Sequence, residues 1–202
     1  NWRLQRLHDR LETFRSVVSH DLRTPLNAAK GHLELARSGD VDDTEELLDT
    51  VADALDRLEV YLTDLNTLEQ QGTPVEAVED IEIADIAEAT WNRIQTGSAT
   101  VDIRATRSVS ANRDRLVEAF RNVYRNAIDH GGEGVTVTVG DLEDGFYIED
   151  DGPGLERGQY SDIFEPGFST TEGATGLGLA IVAQIAAAHR WEISAAEGAD
   201  GG

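Results

Sequence analysis

The sequence predicts two domains of different fold class, an α-helical hairpin followed by an α+β sandwich with a mixed sheet. Two patterns support this prediction. In the first third of the chain, apolar residues recur at steps of three and four, which is the spacing of one buried helix face. Beyond residue 74, short runs of alternating apolar and polar residues are interspersed with helical stretches, which is typical of strands and helices packed in layers. Gly72, Thr73 and Pro74 separate the two patterns, so we predict domains at residues 1–72 and 73–202.

The first domain is predicted to contain two long helices. One extends from about Trp2 to Ser38 and ends at Gly39, a residue suited to a left-handed helix cap. Asp43 and Glu46 have the spacing of a capping box that begins the second helix. The apolar stripe comprises Leu4, Leu7, Leu11, Phe14, Val18, Leu22, Leu26, Ala29, Leu33 and Ala36 in the first helix, and Leu48, Val51, Leu55, Leu58, Leu62, Leu65 and Leu68 in the second. Because two helices cannot enclose such stripes, we predict a homodimeric four-helix bundle, with packing onto the following domain as the alternative.

The chain is strongly acidic, with 39 Asp and Glu residues against 17 Lys and Arg residues and a formal net charge of −22. Such a surface repels phosphate backbones, which argues against a nucleic-acid partner. An acidic chain whose only lysine is Lys30 is typical of a protein from a salt-loving organism, although acidic cytosolic proteins occur elsewhere. The absence of cysteine excludes disulfides and thiol chemistry.

The sequence shows no apolar run of the roughly 20 residues that a membrane span needs, so we expect no membrane segment in this part of the protein. We expect the chain to be cytoplasmic, and the full-length protein could be soluble or membrane-attached. It begins at Asn1 and contains no Met, so we expect it to be a fragment of a longer protein.

A histidine on the predicted first helix stands in the polar stretch Ser19–Leu26. His20 lies two residues beyond a position of the apolar stripe, about 200° around the helix, and is therefore predicted to face water. Thr24 lies one turn later on the same face, and Pro25 removes a backbone hydrogen bond, which predicts a bend. Asp21 can hold one imidazole nitrogen as N–H and make the other a better nucleophile. A solvated histidine without chemistry is the alternative.

The second domain is predicted to alternate strands with helices. The predicted strands are Ile81–Ile83, Thr100–Ala105, Ser108–Ala111, Val135–Val139, Phe146–Glu149 and Trp191–Ala195. The predicted helices are Ala84–Ile94, Arg113–His130 and a third that follows a glycine-rich segment and ends at His189. We therefore expect one mixed sheet with helices on one face.

Two polar segments of this domain have the residue types of a ligand site. Asn122 and Asn126 are four residues apart and share a helix face, where an amide oxygen can complete the coordination of Mg²⁺. Asp150 ends a predicted strand, where its carboxylate can accept a hydrogen bond from an adenine amine. Gly152 and Gly154 would let the backbone come close to a base. Two exposed asparagines and a tight acidic turn are the plain alternatives.

A third segment, Gly173–Ala180, contains glycines immediately before an amphipathic helix. Gly176 and Gly178 would present backbone N–H groups at the positive end of that helix, which is a phosphate-binding arrangement. A simple hinge is the alternative.

Taken in order, these segments resemble the N, G1 and G2 boxes of the ATPase superfamily shared by histidine kinases, gyrase-type topoisomerases, mismatch-repair ATPases and a heat-shock chaperone. Ile163–Thr170, which contains Phe164, resembles the F box of the histidine-kinase lid. Ser19–Leu26 resembles the H box of sensor histidine kinases. The resemblance covers nearly the whole chain. It implies a dimerisation and phosphotransfer hairpin followed by a catalytic ATP-binding domain.

The resemblance also implies roles for single residues of the second domain. Mg-ATP would bind there, with Asn126 holding the metal and Asn122 supporting it. Asp150 would contact adenine, and Gly176 and Gly178 would let the lid close on the phosphates.

On the hairpin, the resemblance implies that His20 attacks the γ-phosphoryl group and that Asp21 orients it. The phosphoryl group would then pass to an aspartate of a response-regulator receiver domain. Thr24 matches a position that the family associates with removing phosphate from the receiver. A hydroxyl that bonds back to the preceding helical turn is the alternative for Thr24.

Two departures from the family pattern affect these expectations. Family members often have Lys or Arg three residues after the second asparagine and an aromatic residue next, where this chain has Asp129 and His130. The phosphate-facing charge would then come from His130 or Arg125. The chain stops at Gly202, where the family usually adds a last strand, so we expect that strand to be missing.

Two other functions remain open from the sequence. One is a degenerate kinase that binds nucleotide or a regulator without chemistry, which Asp129 favours. The other is an ATP-driven clamp, which the H box argues against. The stimulus, the receiver and the choice between reaction within and between subunits are not specified by the sequence.

Overall fold

A computed structural model describes residues 22–37, 44–45, 47–52, 54–55, 58, 62, 75, 78–155, 159–160, 162–169 and 176–198 of the chain. The backbone divides into two compact units, one of residues 1–67 with 172–175 and the other of residues 68–171 with 176–202. The domain boundary that we predict after residue 72 stays a prediction. Among the described residues, no helix combines the length and the apolar composition needed to cross a membrane.

The described part of the first unit is helical. Helix α1 covers residues 22–37, and every described residue from 44 to 62 is helical and forms α2. Ala29 and Ala54 are buried. The leucines of the predicted stripe are not, since five of them keep 40–52% of their surface exposed: Leu26, Leu33, Leu48, Leu55 and Leu62. The stripe is thus only partly covered within one chain.

The second unit has the predicted α+β architecture. Its elements are β1 (Glu79–Glu82), α3 (Ile83–Trp91), β2 (Thr100–Ile103), β3 (Ser108–Ala111), α4 (Arg113–His130), β4 (Thr136–Leu142), β5 (Gly145–Asp150) and α5 (Gly178–His189). Strands β1 and β3 pair antiparallel, while β4 pairs parallel with β2 and antiparallel with β5. The expected mixed sheet is therefore confirmed as β2-β4-β5, whereas β1 and β3 form a separate two-stranded sheet.

The core lies between α3, α4 and the inner face of this mixed sheet. Val137 and Val139 of β4 are fully buried and alternate with partly exposed threonines. Tyr124 of α4 is also fully buried and donates a hydrogen bond from its hydroxyl to Ala87 O at 3.3 Å. Burial raises the pKa of Tyr124 well above its ordinary value. The buried ring of Tyr124 and its hydrogen bond to α3 therefore fix how α4 is rotated about its own axis.

Helix α5 runs antiparallel along α4. At one end, a Cβ atom on Gly178 would lie 3.2 Å from Asn122 Oδ1. At the other end, His189 Nε2 accepts a hydrogen bond from the backbone N–H of Asn112 at 3.0 Å. These two contacts set the position of α5 along α4.

The strand predicted at Trp191–Ala195 is wrong, because residues 191–198 form neither helix nor strand. The backbone N–H of Trp191 donates to Ala186 O at 2.9 Å and closes the end of α5. The Trp191 ring packs edge-on against Phe146 with centroids 6.2 Å apart. The chain directly after α5 is therefore held by the hydrogen bond of Trp191 to α5 and by the packing of its ring on Phe146.

Candidate functional site

Asn122 is a buried amide on α4, with 7% of its surface exposed. Its Nδ2 donates to the backbone oxygen of Glu118 at 2.9 Å and to Glu118 Oε1 at 3.2 Å. With its nitrogen directed at Glu118, its Oδ1 faces Gly178 at the start of α5. The structure thus brings the first predicted asparagine and the last predicted glycine together.

Three predicted residues lie at successive i, i+4 positions of α4, which places them along one side of the helix. Asn122 is followed by Asn126 and then by His130, and the latter two are partly exposed. Arg125 and Asp129 are more exposed than either. The two asparagines therefore share a helix face as expected, with Asn122 buried and Asn126 partly exposed.

Asp150 ends β5 on the inner face of the mixed sheet. It lies directly opposite Val137, and residues opposite each other in an antiparallel pair share a face. Its Oδ1 accepts a hydrogen bond from the backbone N–H of Gly152 at 3.0 Å. This contact directs the carboxylate back over the turn that follows the strand.

Gly152 lies against the end of α4. A Cβ atom at this position would come within 2.6 Å of Asp150 Oδ1 and 2.7 Å of Gly131 Cα. Only glycine fits such a close approach without displacing its neighbours. The structure therefore brings the Asp150 turn to the same corner as the end of the asparagine helix.

Gly176 lies against the backbone that follows Phe164. Its φ is +60°, and a Cβ atom would lie 2.6 Å from Gly167 C and 2.7 Å from Phe168 O. The backbone N–H of Gly167 donates to Gly176 O at 3.0 Å. Phe164 itself is partly buried. The predicted F-box segment, Ile163–Thr170, thus contacts Gly176 of the glycine segment that precedes α5.

The start of α5 has the electrostatics of an anion site. Leu177 at the N-cap has an apolar side chain and makes no side-chain capping hydrogen bond. The positive end of the helix dipole lies there, beside Asn122.

These features together fit a nucleotide. The amide oxygens of Asn122 and Asn126, the N-terminus of α5 and the Asp150 carboxylate can serve a cation, phosphates and a base amine respectively. The described residues contain no group of three or more His, Cys, Asp or Glu side chains that could hold a metal.

Only some of the remaining predicted site residues lie in the described part of the chain. Thr24 is an exposed residue of α1. His20 and Asp21 lie outside the described residues, as does Gly173 of the glycine segment. Gly154 has a φ of +67°, a left-handed conformation that favours glycine.

Sequence reasoning missed three residues that build the site. Glu118 holds the nitrogen of Asn122, and its i, i+4 spacing from Asn122 was a usable signal. Asp151 accepts a hydrogen bond from the backbone N–H of Thr136 at 2.7 Å and ties β5 to β4. Gly131 receives the close approach of Gly152, for which the sequence carries no signal because it depends on two distant segments meeting.

Two family models match the chain. Residues 111–202 match the family described as histidine kinase-, DNA gyrase B-, and HSP90-like ATPase. Residues 10–74 match the His Kinase A (phospho-acceptor) domain.

Relatives and solved structures agree with these matches. Sensory histidine kinase/phosphatase NtrB of Rhizobium leguminosarum bv. phaseoli is 28% identical over 86% of this chain. Sensor histidine kinase ZraS of Salmonella typhi is 30% identical over 85% of it. The chain spans 52% and 40% of the length of these two proteins.

The Acinetobacter baumannii histidine kinase AdeS has a similar structure, with a TM-score of 0.65, 25% identity and coverage of 84% of this chain and 86% of that one. The histidine kinase ThkA, solved in complex with response regulator protein TrrA, shares the fold with a TM-score of 0.74 at 20% identity, covering 98% of this chain and 61% of that one. With a phospho-acceptor domain followed by the matching ATPase domain, this chain belongs to the sensor histidine kinases.

Proposed function

We propose that this chain is a kinase core that binds Mg-ATP in its second unit, phosphorylates His20 and passes the phosphoryl group to an aspartate of a response-regulator receiver domain. The observation that carries the proposal is the meeting of Asn122 with Gly178 at the start of α5, with Asp150 and Gly152 packed at the end of the same helix α4. Relatives named as sensor histidine kinases support the same function.

Each end of the nucleotide would meet a different group. Asp150 would accept a hydrogen bond from the adenine amine, because its carboxylate lies on the inner face of the sheet. The first turn of α5 would stabilise the phosphates through its N–H groups and its dipole. Asn126 would contribute an amide oxygen to Mg²⁺, which would neutralise phosphate charge, and Asn122 would support it.

The chemical step would take place at His20. A ring nitrogen would form a bond to the γ-phosphorus while the bond between that phosphorus and the bridging oxygen breaks, and ADP would leave with the bond electrons. Asp21 would hold the other ring nitrogen as N–H and so keep the attacking nitrogen unprotonated. Little else is required of the protein than positioning and charge neutralisation. Since ATP is supplied inside the cell, we place the core in the cytoplasm.

We further propose that the first unit forms a homodimer through its leucine stripe. Leu26, Leu33, Leu48, Leu55 and Leu62 expose 40–52% of their surface in one chain. A second copy offers the same stripe and would complete a four-helix bundle.

The dimer proposal has a direct test in light scattering. Leu33→Asp with Leu55→Asp should convert a dimer into a monomer, because both carboxylates would be buried in the bundle. Leu142→Asp is the matched control, since Leu142 is a 53% exposed leucine of the second unit. A monomeric wild-type chain, or a double variant that remains dimeric, would contradict the proposal.

Incubation with γ-labelled ATP tests the kinase proposal against its alternatives. Wild type should gain an acid-labile, base-stable label, and His20→Gln should gain none while its ATP affinity stays within about threefold. Released phosphate without label would support the clamp, and binding without either product would support the degenerate kinase that Asp129 favours. Asn126→Ala should weaken binding of Mg-ATP in calorimetry. Residual label on His20→Gln would show that His20 is not the acceptor.

A further inference from the structure

Glu118 lies one helical turn before Asn122 on α4, and only 18% of its side chain is exposed. Its Oε1 accepts hydrogen bonds from Asn122 Nδ2 at 3.2 Å and from the guanidinium of Arg121 at 2.5 Å. Its backbone oxygen accepts a second hydrogen bond from Asn122 Nδ2 at 2.9 Å. One residue therefore supplies both partners of the Asn122 amide nitrogen.

These contacts fix which end of the Asn122 amide faces the site. A carbonyl oxygen and a carboxylate oxygen only accept hydrogen bonds, so the group that faces them must be the NH₂ of Asn122. A rotated amide would place Oδ1 against both oxygens. Asn122 Oδ1 is therefore turned toward Gly178, where a Cβ atom would lie 3.2 Å from it.

The charge of Glu118 is compensated locally. A carboxylate beside a phosphate-binding site would repel the ligand, in a chain whose formal net charge is already −22. The Arg121 guanidinium forms an i, i+3 ion pair with this carboxylate. Glu118 can thus orient Asn122 without adding uncompensated negative charge to the site.

We propose that Glu118 is a positioning residue for nucleotide binding, which acts by holding the amide of Asn122 with its oxygen toward the start of α5. This proposal rests on the proposed ATP-binding function of the same site. It differs from a purely structural role because its effect depends on the presence of the Asn122 side chain.

The test compares two uncharged replacements of similar length. Glu118→Met loses both the charge and the acceptor, and we expect it to bind Mg-ATP about tenfold more weakly in calorimetry. Glu118→Gln loses the charge but keeps an oxygen that can accept from Asn122, so its affinity should stay within about threefold of wild type. Glu88→Met is the matched control, because Glu88 is an exposed glutamate on helix α3. If Gln and Met weaken binding equally, the acceptor has no role and the proposal is overturned.

A double-mutant cycle then tests whether the effect passes through Asn122. In the Asn122→Ala background, Glu118→Met should change the affinity by less than about twofold. A tenfold loss that persists in that background would overturn the proposal. If Glu118→Met does not keep the far-UV circular dichroism of wild type, Glu118→Ala takes its place in both comparisons.

The control measurement on wild type separates this proposal from the proposed function. A wild-type chain that does not bind Mg-ATP would refute the function itself. A wild-type chain that binds, together with a folded Glu118→Met variant that binds equally well, would refute only the role of Glu118.

Discussion

Replacing Gly152 by Ala should disturb the corner at which β5 meets the end of α4. The new Cβ atom would lie 2.6 Å from Asp150 Oδ1 and 2.7 Å from Gly131 Cα. The second of these neighbours is backbone, so it cannot rotate away as a side chain would. Either the turn after β5 or the end of α4 must move, and either movement displaces Asp150 from the other groups of the site.

The size of the effect follows from two contributions. Overpacking a well-filled site costs about 1–3 kcal/mol. A hydrogen bond to a charged group contributes about 1.5–3 kcal/mol, and the bond from the Gly152 N–H to Asp150 would be lost or distorted. Because relaxation relieves one contribution at the expense of the other, we expect the free energy of unfolding to fall by about 2–4 kcal/mol. We also expect ATP to bind at least about tenfold more weakly.

Urea unfolding followed by tryptophan fluorescence measures this change, since two of the three tryptophans, Trp91 and Trp191, lie in the second unit. Gly145→Ala, at the start of β5, is the matched control, because a Cβ atom there meets nothing within 4 Å. It should leave the midpoint unchanged or slightly raised. A Gly152→Ala variant with the wild-type midpoint and ATP affinity would show that the corner yields freely, and the reasoning would fail.

Three further predictions concern other parts of the chain. Asp141→Asn should lower stability at neutral pH. Hydrogen bonds from the Thr106 hydroxyl and from backbone N–H groups lower the pKa of Asp141, so its contribution is present above about pH 4 and is lost as the pH falls through the lowered pKa. Thermal melts from pH 7 to pH 2 should therefore fall less steeply for the variant than for wild type, and parallel curves would contradict this. Raising KCl from 0.1 to about 2 M should raise the melting temperature, because like charges then repel less, whereas a flat profile would show that self-repulsion is not limiting. Thr24→Ala should keep autophosphorylation but slow dephosphorylation of a phosphorylated receiver by at least about tenfold, or roughly 1.4 kcal/mol of barrier, and equal decay rates would leave Thr24 without this role.

Local signals in the sequence were enough to predict the elements that carry the site. Helix α4 begins and ends at the predicted residues, Arg113 and His130, because its apolar period and the glycines that follow it agree. The structure adds an N-cap at Asn112. The side chain of Asn112 accepts from the backbone N–H of Arg115 at 3.1 Å, as an N-cap should.

Helix α3 was predicted to end at Ile94 but ends at Trp91. The N–H of Asn92 still bonds four residues back, to Glu88 O, whereas those of Arg93 and Ile94 bond to oxygens three residues back, at Thr90 and Trp91. The helix thus tightens into a turn whose bonds span one residue fewer. Composition alone does not distinguish this turn from one more helical turn.

Contacts between distant segments could not be predicted, since they depend on strand register and on helix length together. Gly152 meets Gly131 because Asp150 lies opposite Val137 and because α4 stops one residue before Gly131. A shift of one residue in that register would turn Asp150 to the outer face of the sheet. The wrong strand prediction at Trp191 has a similar cause. The backbone N–H of Trp191 bonds to Ala186 O at the end of α5 and not to a neighbouring strand.

The position of α5 relative to Asn122 depends on a contact far from the site. His189 Nδ1 donates to Ile185 O at 2.7 Å, so its Nε2 is free to accept from the Asn112 N–H. Asn112 to Asn122 spans about 15 Å of helix, and Gly178 to His189 spans about 16.5 Å, at 1.5 Å per residue. The two spans nearly match, so the contacts at both ends can form together. Sliding α5 by one turn, about 5.4 Å, would break both. The hydrogen bond between Asn112 and His189 therefore helps to hold the first turn of α5 opposite Asn122 Oδ1.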